Sequence, residues 1–126
     1  MNGNIFLRTG VVILALGMCL GIYMGAKQDF TLAPVHAHMN LAGGVLMCIA
    51  GLFYNNRPAL WGKLTTIHYG LQLVGIILLA AGIAGAHLNQ KWFPPVVGAG
   101  SVLTLLAMLV FIFMVFKGTG RNTTAA

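Results

Sequence analysis

The sequence predicts an all-α protein, a four-helix transmembrane bundle of up-down-up-down order. Three observations predict it. Hydrophobic residues make up 59% of the 126 residues and charged residues only 6%. A soluble domain carries roughly a quarter charged residues, so this chain has too few to clothe a water-facing surface. The apolar residues fall into four long runs, each near or above the ~20 residues that a spanning helix needs. The breaks between runs are short and carry turn residues, which makes successive helices antiparallel neighbours. Backbone groups in lipid must be bonded within the segment, so helices are the economical structure for such runs.

The first run extends from about Ile5 to Ala26. It is too long for a signal peptide and lacks a small-x-small cleavage site, so it reads as a retained helix. Leu16-Gly17-Met18-Cys19 departs from a lipoprotein cleavage box because Met18 is too large before the cysteine. Gly17, Gly21 and Gly25 form a small-xxx-small stripe, which suits close packing on a neighbouring helix or on a second copy in a homodimer. The break from Asp29 to Pro34 leads to the second run, about Pro34 to Tyr54, with Pro34 suited to a first helical turn. Asn55-Asn56-Arg57-Pro58 precedes the third, about Trp61 to Ala86, and the segment Asn89 to Pro95 precedes the fourth, about Pro94 to Phe116. Residues 1–117 thus form a single membrane domain, and 118–126 a small, polar, flexible tail.

The net charge is +6, and Asp29 is the one acidic residue. The seven Lys and Arg are spread singly between apolar runs, without a nucleic-acid recognition motif. They read as topology signals and headgroup contacts. Arg8, Arg57, Lys63, Lys117 and Arg121 fall on the side of the N-terminus, Lys27 and Lys91 on the other. That asymmetry predicts both termini in the cytoplasm. Trp92, Phe93 and Tyr23 then lie near the outer interface, and Trp61 and Tyr54 near the inner one, as aromatic belts. Cys19 and Cys48 lie in apolar runs outside any CxxC or zinc spacing and read as small buried side chains. With Asp29 as the only carboxylate, paired-carboxylate catalysis and a Ser-His-Asp hydrolase are excluded, and no complete catalytic site is visible.

The chemistry rests on His36, His38, His68 and His87, because ionisable side chains in membrane helices are costly. His36 and His38 open the second helix at its outer end, and His87 closes the third at the same end. His68 lies roughly 28 Å from His87 along their helix, at ~1.5 Å per residue, so those two cannot share a compact site. His38 and His87 can, and two facing imidazoles are what a six-coordinate haem iron takes. Gly43 and Gly44 below His38, and Gly82, Ala84 and Gly85 near His87, offer a flat slot for a porphyrin or, alternatively, close helix packing. His36 points about 200° away from His38 on the helix, suiting a propionate or a second metal. The plainer readings are headgroup-level placement for His36 and His87, and a packing role for His68, bonded to Gln72 one turn on.

The stretch Pro34-Val35-His36-Ala37-His38-Met39-Asn40-Leu41-Ala42-Gly43, with Ala50-Gly51-Leu52-Phe53-Tyr54 after it, resembles the second helix of the haem-copper oxidase catalytic subunit. It is most similar to the nitric oxide reductase and C-type oxidase branches. The whole chain also resembles small bacterial proteins that are oxidase-subunit-I-like, with a histidine early in the next helix as His68 is here. The likeness is most specific over about twenty residues, and the chain lacks the late helix that carries the second axial ligand and the copper-ligand histidines of the large enzymes. It implies haem b ligation by His38, with Asn40 and Gly43 in the same cofactor-binding helix, and residence in a bacterial cytoplasmic membrane.

Three readings follow. The leading one is a haem b membrane cytochrome that carries electrons or senses O2 or NO, as a homodimer or as a subunit of a respiratory complex. Its iron ligands are His38 and His87, with His36 or His68 as alternatives. The second is a copper site on His36, His38 and Met39, ligands that suit copper, with His87 joining them. The third is an accessory or assembly subunit without a cofactor.

Overall fold

The computed structural model describes residues 2–120. Arg121 and the rest of the tail beyond 120 lie outside the described residues. Four long helices make up the fold: α1 (Asn4–Lys27), α2 (Ala33–Asn56), α3 (Lys63–His87) and α4 (Phe93–Thr119). Each is long and apolar enough to cross a bilayer, and no strand occurs among the described residues. The chain is a multi-pass membrane protein, all-α as its composition predicts. Large side chains such as Val12, Ile22, Leu105 and Phe116 stand exposed on the bundle's outside, where lipid is their natural solvent.

Local chemistry sets the ends. Gln28 takes a left-handed φ of 53° after α1, and its side-chain amide donates to the Gly25 carbonyl at 2.7 Å. In the loop that follows, the hydroxyl and then the backbone N–H of Thr31 donate to Asp29 Oδ1 and hold its carboxyl below the usual carboxylate range. A short 3-10 turn, Pro58–Leu60, joins α2 to α3. At the start of α3 the Gly62 N–H donates to Thr65 Oγ1 at 2.8 Å, closing an otherwise open helix end. Asn89, at φ 58°, turns the chain from α3 into α4, whose first turn holds Pro94 and Pro95.

The sequential helices pack as neighbours. Between α3 and α4 the backbones come close where side chains are missing: a Cβ on Gly82 would lie 2.6 Å from the Val97 nitrogen, and one on Gly100 would strike the Leu79 backbone. The α1 stripe faces this chain's own α2. A Cβ on Gly17 would collide with the Asn40 amide, and one on Gly21 would lie 2.9 Å from His36 Cε1, whereas Gly25 faces open space. Of the two placements open to the stripe, Gly17 and Gly21 take the intrachain one.

The apolar core is gathered at the end that carries the chain termini. Phe6 of α1, Met47, Ala50 and Tyr54 of α2, and Phe111 and Met114 of α4 form one buried cluster. Arg57 pins that end, stacking 4.8 Å over the Phe53 ring and donating from Nε to the Gly118 carbonyl at 3.0 Å. Helix α4 runs to Thr119, two residues into the segment expected as tail, because this bond and the helix ladder hold Gly118 in place. Two further expectations need correction. Tyr54 is not an interface residue but is 1% exposed in the core. Of the cysteines, Cys48 packs against Gly10, but Cys19 is exposed on the bundle's outside.

Candidate functional site

Helix α2 is not uniform. From Met39 to Val45 it widens into a π-helix, starting one residue after His38. Gly43 and Gly44 weaken the ordinary helix there, and the wider turn leaves carbonyls free for other donors. One is used: the Gln72 side chain of α3 donates from Nε2 to the Ala42 carbonyl at 2.6 Å. Such π segments occur often at functional positions. The segment lies beside the histidines that the sequence singled out, and nothing in the sequence beyond the paired glycines signals it.

The four histidines fall into three environments. His36 is partly buried against α1. Its Nδ1 lies 2.7 Å from the Gly17 carbonyl, which can only accept, so Nδ1 carries the proton. Its Nε2 then accepts from Asn40 Nδ2 at 3.3 Å. Both nitrogens are thus engaged within the chain, and Asn40 serves as a wedge between His36 and Gly17. The Asn40 Oδ1 atom is buried and accepts no hydrogen bond among the described residues, as is Gln72 Oε1.

His38 and His87 share a second construction. Both are exposed. Each donates Nδ1–H to the carbonyl four residues back, His38 to Pro34 at 2.7 Å and His87 to Ile83 at 3.0 Å. That bond fixes the tautomer and leaves the Nε2 lone pair without a partner among the described residues. The same arrangement orients metal-ligating histidines generally. No hydrogen bond joins His38 to His87, and among the described residues no group of three or more His, Cys, Asp or Glu is placed to hold a metal ion.

His68 is the opposite case. It is 1% exposed, and its Nδ1 is bonded to the Tyr54 hydroxyl at 2.7 Å. Its ring stacks on Phe111 at 5.1 Å and tilts against Phe6 at 4.9 Å. The bond to Gln72 foreseen from their one-turn spacing is not made, because Gln72 turns to the π-helix carbonyl instead. Tyr54, fourteen residues back on another helix, went unforeseen as the partner. Its place at the end of the stretch Ala50-Gly51-Leu52-Phe53-Tyr54 is the one sign of it in the sequence.

The porphyrin slot expected beside the small residues is filled. A Cβ on Gly43 would meet Ile13 and Ile76, one on Gly44 would meet Leu14, and ones on Gly82 and Gly85 would meet Val97 and Trp92. These glycines serve close packing inside the bundle. At these positions the small residues leave no slot for a planar group: Gly43 faces Ile13 and Ile76, Gly44 faces α1, and Gly82 and Gly85 face α4 and Trp92 before it. Comparison with protein-family models, curated proteins and solved structures finds no match to this chain.

Proposed function

We propose that this chain is a haem b-binding membrane cytochrome, serving respiratory electron transfer or the sensing of O2 or NO, with His38 as an axial ligand. One observation carries the proposal: His38 and His87 are the two histidines whose Nδ1 is locked by a backbone carbonyl while Nε2 stays free and exposed. The local resemblance of His38-Met39-Asn40-Leu41 to a haem b-ligating helix supports the same residue. Because the interior surfaces beside the glycines are filled, the haem lies against the outside of the bundle. His87 supplies the second ligand, from the same chain or across the interface of a homodimer or larger respiratory complex. Bound there, haem supplies one-electron chemistry or a gas-binding iron. The chain's own residues ligate it and hold the imidazoles in register. The excess of Lys and Arg on the termini-bearing side supports a topology with both termini in the cytoplasm of a bacterium, the haem facing the other leaflet.

The filled glycine surfaces favour a second reading, an accessory or assembly subunit of a respiratory oxidase without a cofactor. Copper on His36 and His38 together has less support, since both nitrogens of His36 are engaged. One experiment separates these readings. The protein is purified in mild detergent, and its haem content and reduced absorbance spectrum are measured for wild type and for each histidine replaced by alanine. The proposal expects a b-type spectrum, loss of haem in His38→Ala, an altered spectrum in His87→Ala, and retained haem in His68→Ala. A wild type that stays colourless after haem reconstitution selects the second reading. Normal haem content with a native spectrum in His38→Ala removes His38 from the site.

A further inference from the structure

We propose that the groove between α1, the π-helical segment of α2 and α3 is a binding site for one anionic phospholipid, its acyl chain along the groove and its phosphate on Arg8. The groove has a volume of about 600 Å³ and opens on the side of the bundle. Its walls are almost wholly apolar: Val12 and Leu16 of α1, Met39 of α2, and Leu73, Ile77 and Ala80 of α3. Polar chemistry enters at one end only, where Arg8 and Thr9 stand on the second turn of α1. An apolar slot with a single cation at its membrane-surface end has the chemistry of a lipid, a hydrocarbon chain under an anionic head.

The charge on Arg8 selects the headgroup. Asp29, the only carboxylate in the sequence, follows the far end of α1. At ~1.5 Å per residue that is roughly 30 Å away, well beyond a Debye length of about 8 Å. Among the described residues no carboxylate stands near Arg8, and its proposed partner is an anion from the membrane. Arg57 on the same side differs, for its guanidinium is tied to Gly118 and Phe53. Guanidinium matches phosphate in planar, two-pronged hydrogen bonding, so Arg8 is suited to more than a diffuse attraction. Beside it the Thr9 and Tyr69 hydroxyls share one hydrogen bond at 2.8 Å. Two hydroxyls bring two protons and that bond uses one, leaving one to donate to a phosphate or ester oxygen.

The site is independent of the haem reading, and its test does not depend on cofactor content. The full chain in mild detergent is incubated with equal amounts of phosphatidylglycerol and phosphatidylcholine of identical acyl chains, and bound lipid is read by native mass spectrometry. Both lipids carry a phosphate, but the choline cation offsets it in one, so wild type is expected to retain one phosphatidylglycerol with a preference of about fivefold, the effect of one screened charge. Arg8→Gln should bring the two lipids to parity, while Lys63→Gln, a cation of the same side outside the groove, should leave the preference intact. Met39→Trp or Ala80→Trp, filling the groove at different points, should remove both lipids. Equal retention of the two lipids by wild type, no retained lipid, or an unchanged preference in Arg8→Gln would overturn the proposal. So would a groove-filling variant that changes the oligomeric mass and leaves lipid retention alone, since a second copy would then be the occupant.

Discussion

The two ends of the bundle treat the same side chain in opposite ways. At the termini-bearing end, His68 is sealed among Phe6, Tyr54 and Phe111 and bonded to a tyrosine. At the other end, His38 and His87 are exposed, each tied by one nitrogen to its own helix. The difference lies in what surrounds them. The first end is rich in aromatic side chains that close over an imidazole, and its apolar cluster is continuous across three helices. The second is built from glycines, a π segment and a proline-led helix start, which bring backbones together and leave imidazoles outside. A histidine in these helices is thus enclosed or left exposed according to whether its neighbours are large or small.

The two ends should differ most in what a lost imidazole costs in stability. His68→Ala empties a packed aromatic site and should destabilise the fold by about 2–4 kcal/mol, as large-to-small core changes do. His38→Ala removes an exposed ring and should cost within about 0.5 kcal/mol in the absence of cofactor. Reversible unfolding in mixed micelles measures both, and equal costs would mean that the two ends are built alike.

A graded series sharpens the open end. Gly17→Leu drives a side chain into the Asn40 wedge, Gly21→Leu presses on a His36 that is held at both nitrogens, and Gly25→Leu enters open space. Overpacking costs of about 1–3 kcal/mol are expected at Gly17, less at Gly21, and none at Gly25. Oligomeric size in mild detergent should stay unchanged for the Gly17 and Gly21 variants, because those two glycines pack within one chain. A variant that changes size while keeping its stability would move the stripe to an interface between copies.

The smallest effect tests the polar bond within the packed end. Tyr54→Phe keeps the ring against Phe6 and removes only the hydroxyl that meets His68. A loss of about 0.5–2 kcal/mol is expected, the range for an interhelical hydrogen bond in a membrane. In a double-mutant cycle with His68→Leu that loss should vanish. If it persists, the hydroxyl stabilises the core through some other contact.

The helices themselves are legible in composition and run length. The expected spans and the observed ones differ by one to three residues at their ends, and the turn residues fall where the chain turns. Misreadings cluster where one residue's partner lies on another helix. Tyr54 beside Arg57 and Pro58 looks like a membrane-surface aromatic, yet it is core, because His68 and Phe111 arrive from α3 and α4. Gln72, one turn from His68, instead reaches a carbonyl released by the π-helix. The glycines below His38 and near His87 read equally as a porphyrin slot or as a packing surface, and the side chains of Ile13, Ile76, Leu14, Val97 and Trp92 decide for packing.

The solvent and the order of neighbours are written along the chain: four apolar runs with short polar breaks require a bilayer and an antiparallel order, since burial of backbone polar groups and loop length are local properties. The state of each histidine is instead set by the packed bundle. Whether Nε2 is free, bonded or enclosed depends on side chains brought from other helices: Asn40 pressed against α1, Tyr54 facing α3, and the aromatic rings of α1 and α4. Periodicity along one chain carries no record of which neighbour completes a hydrogen bond across the bundle, because that choice follows from crossing geometry and packing and not from residue spacing.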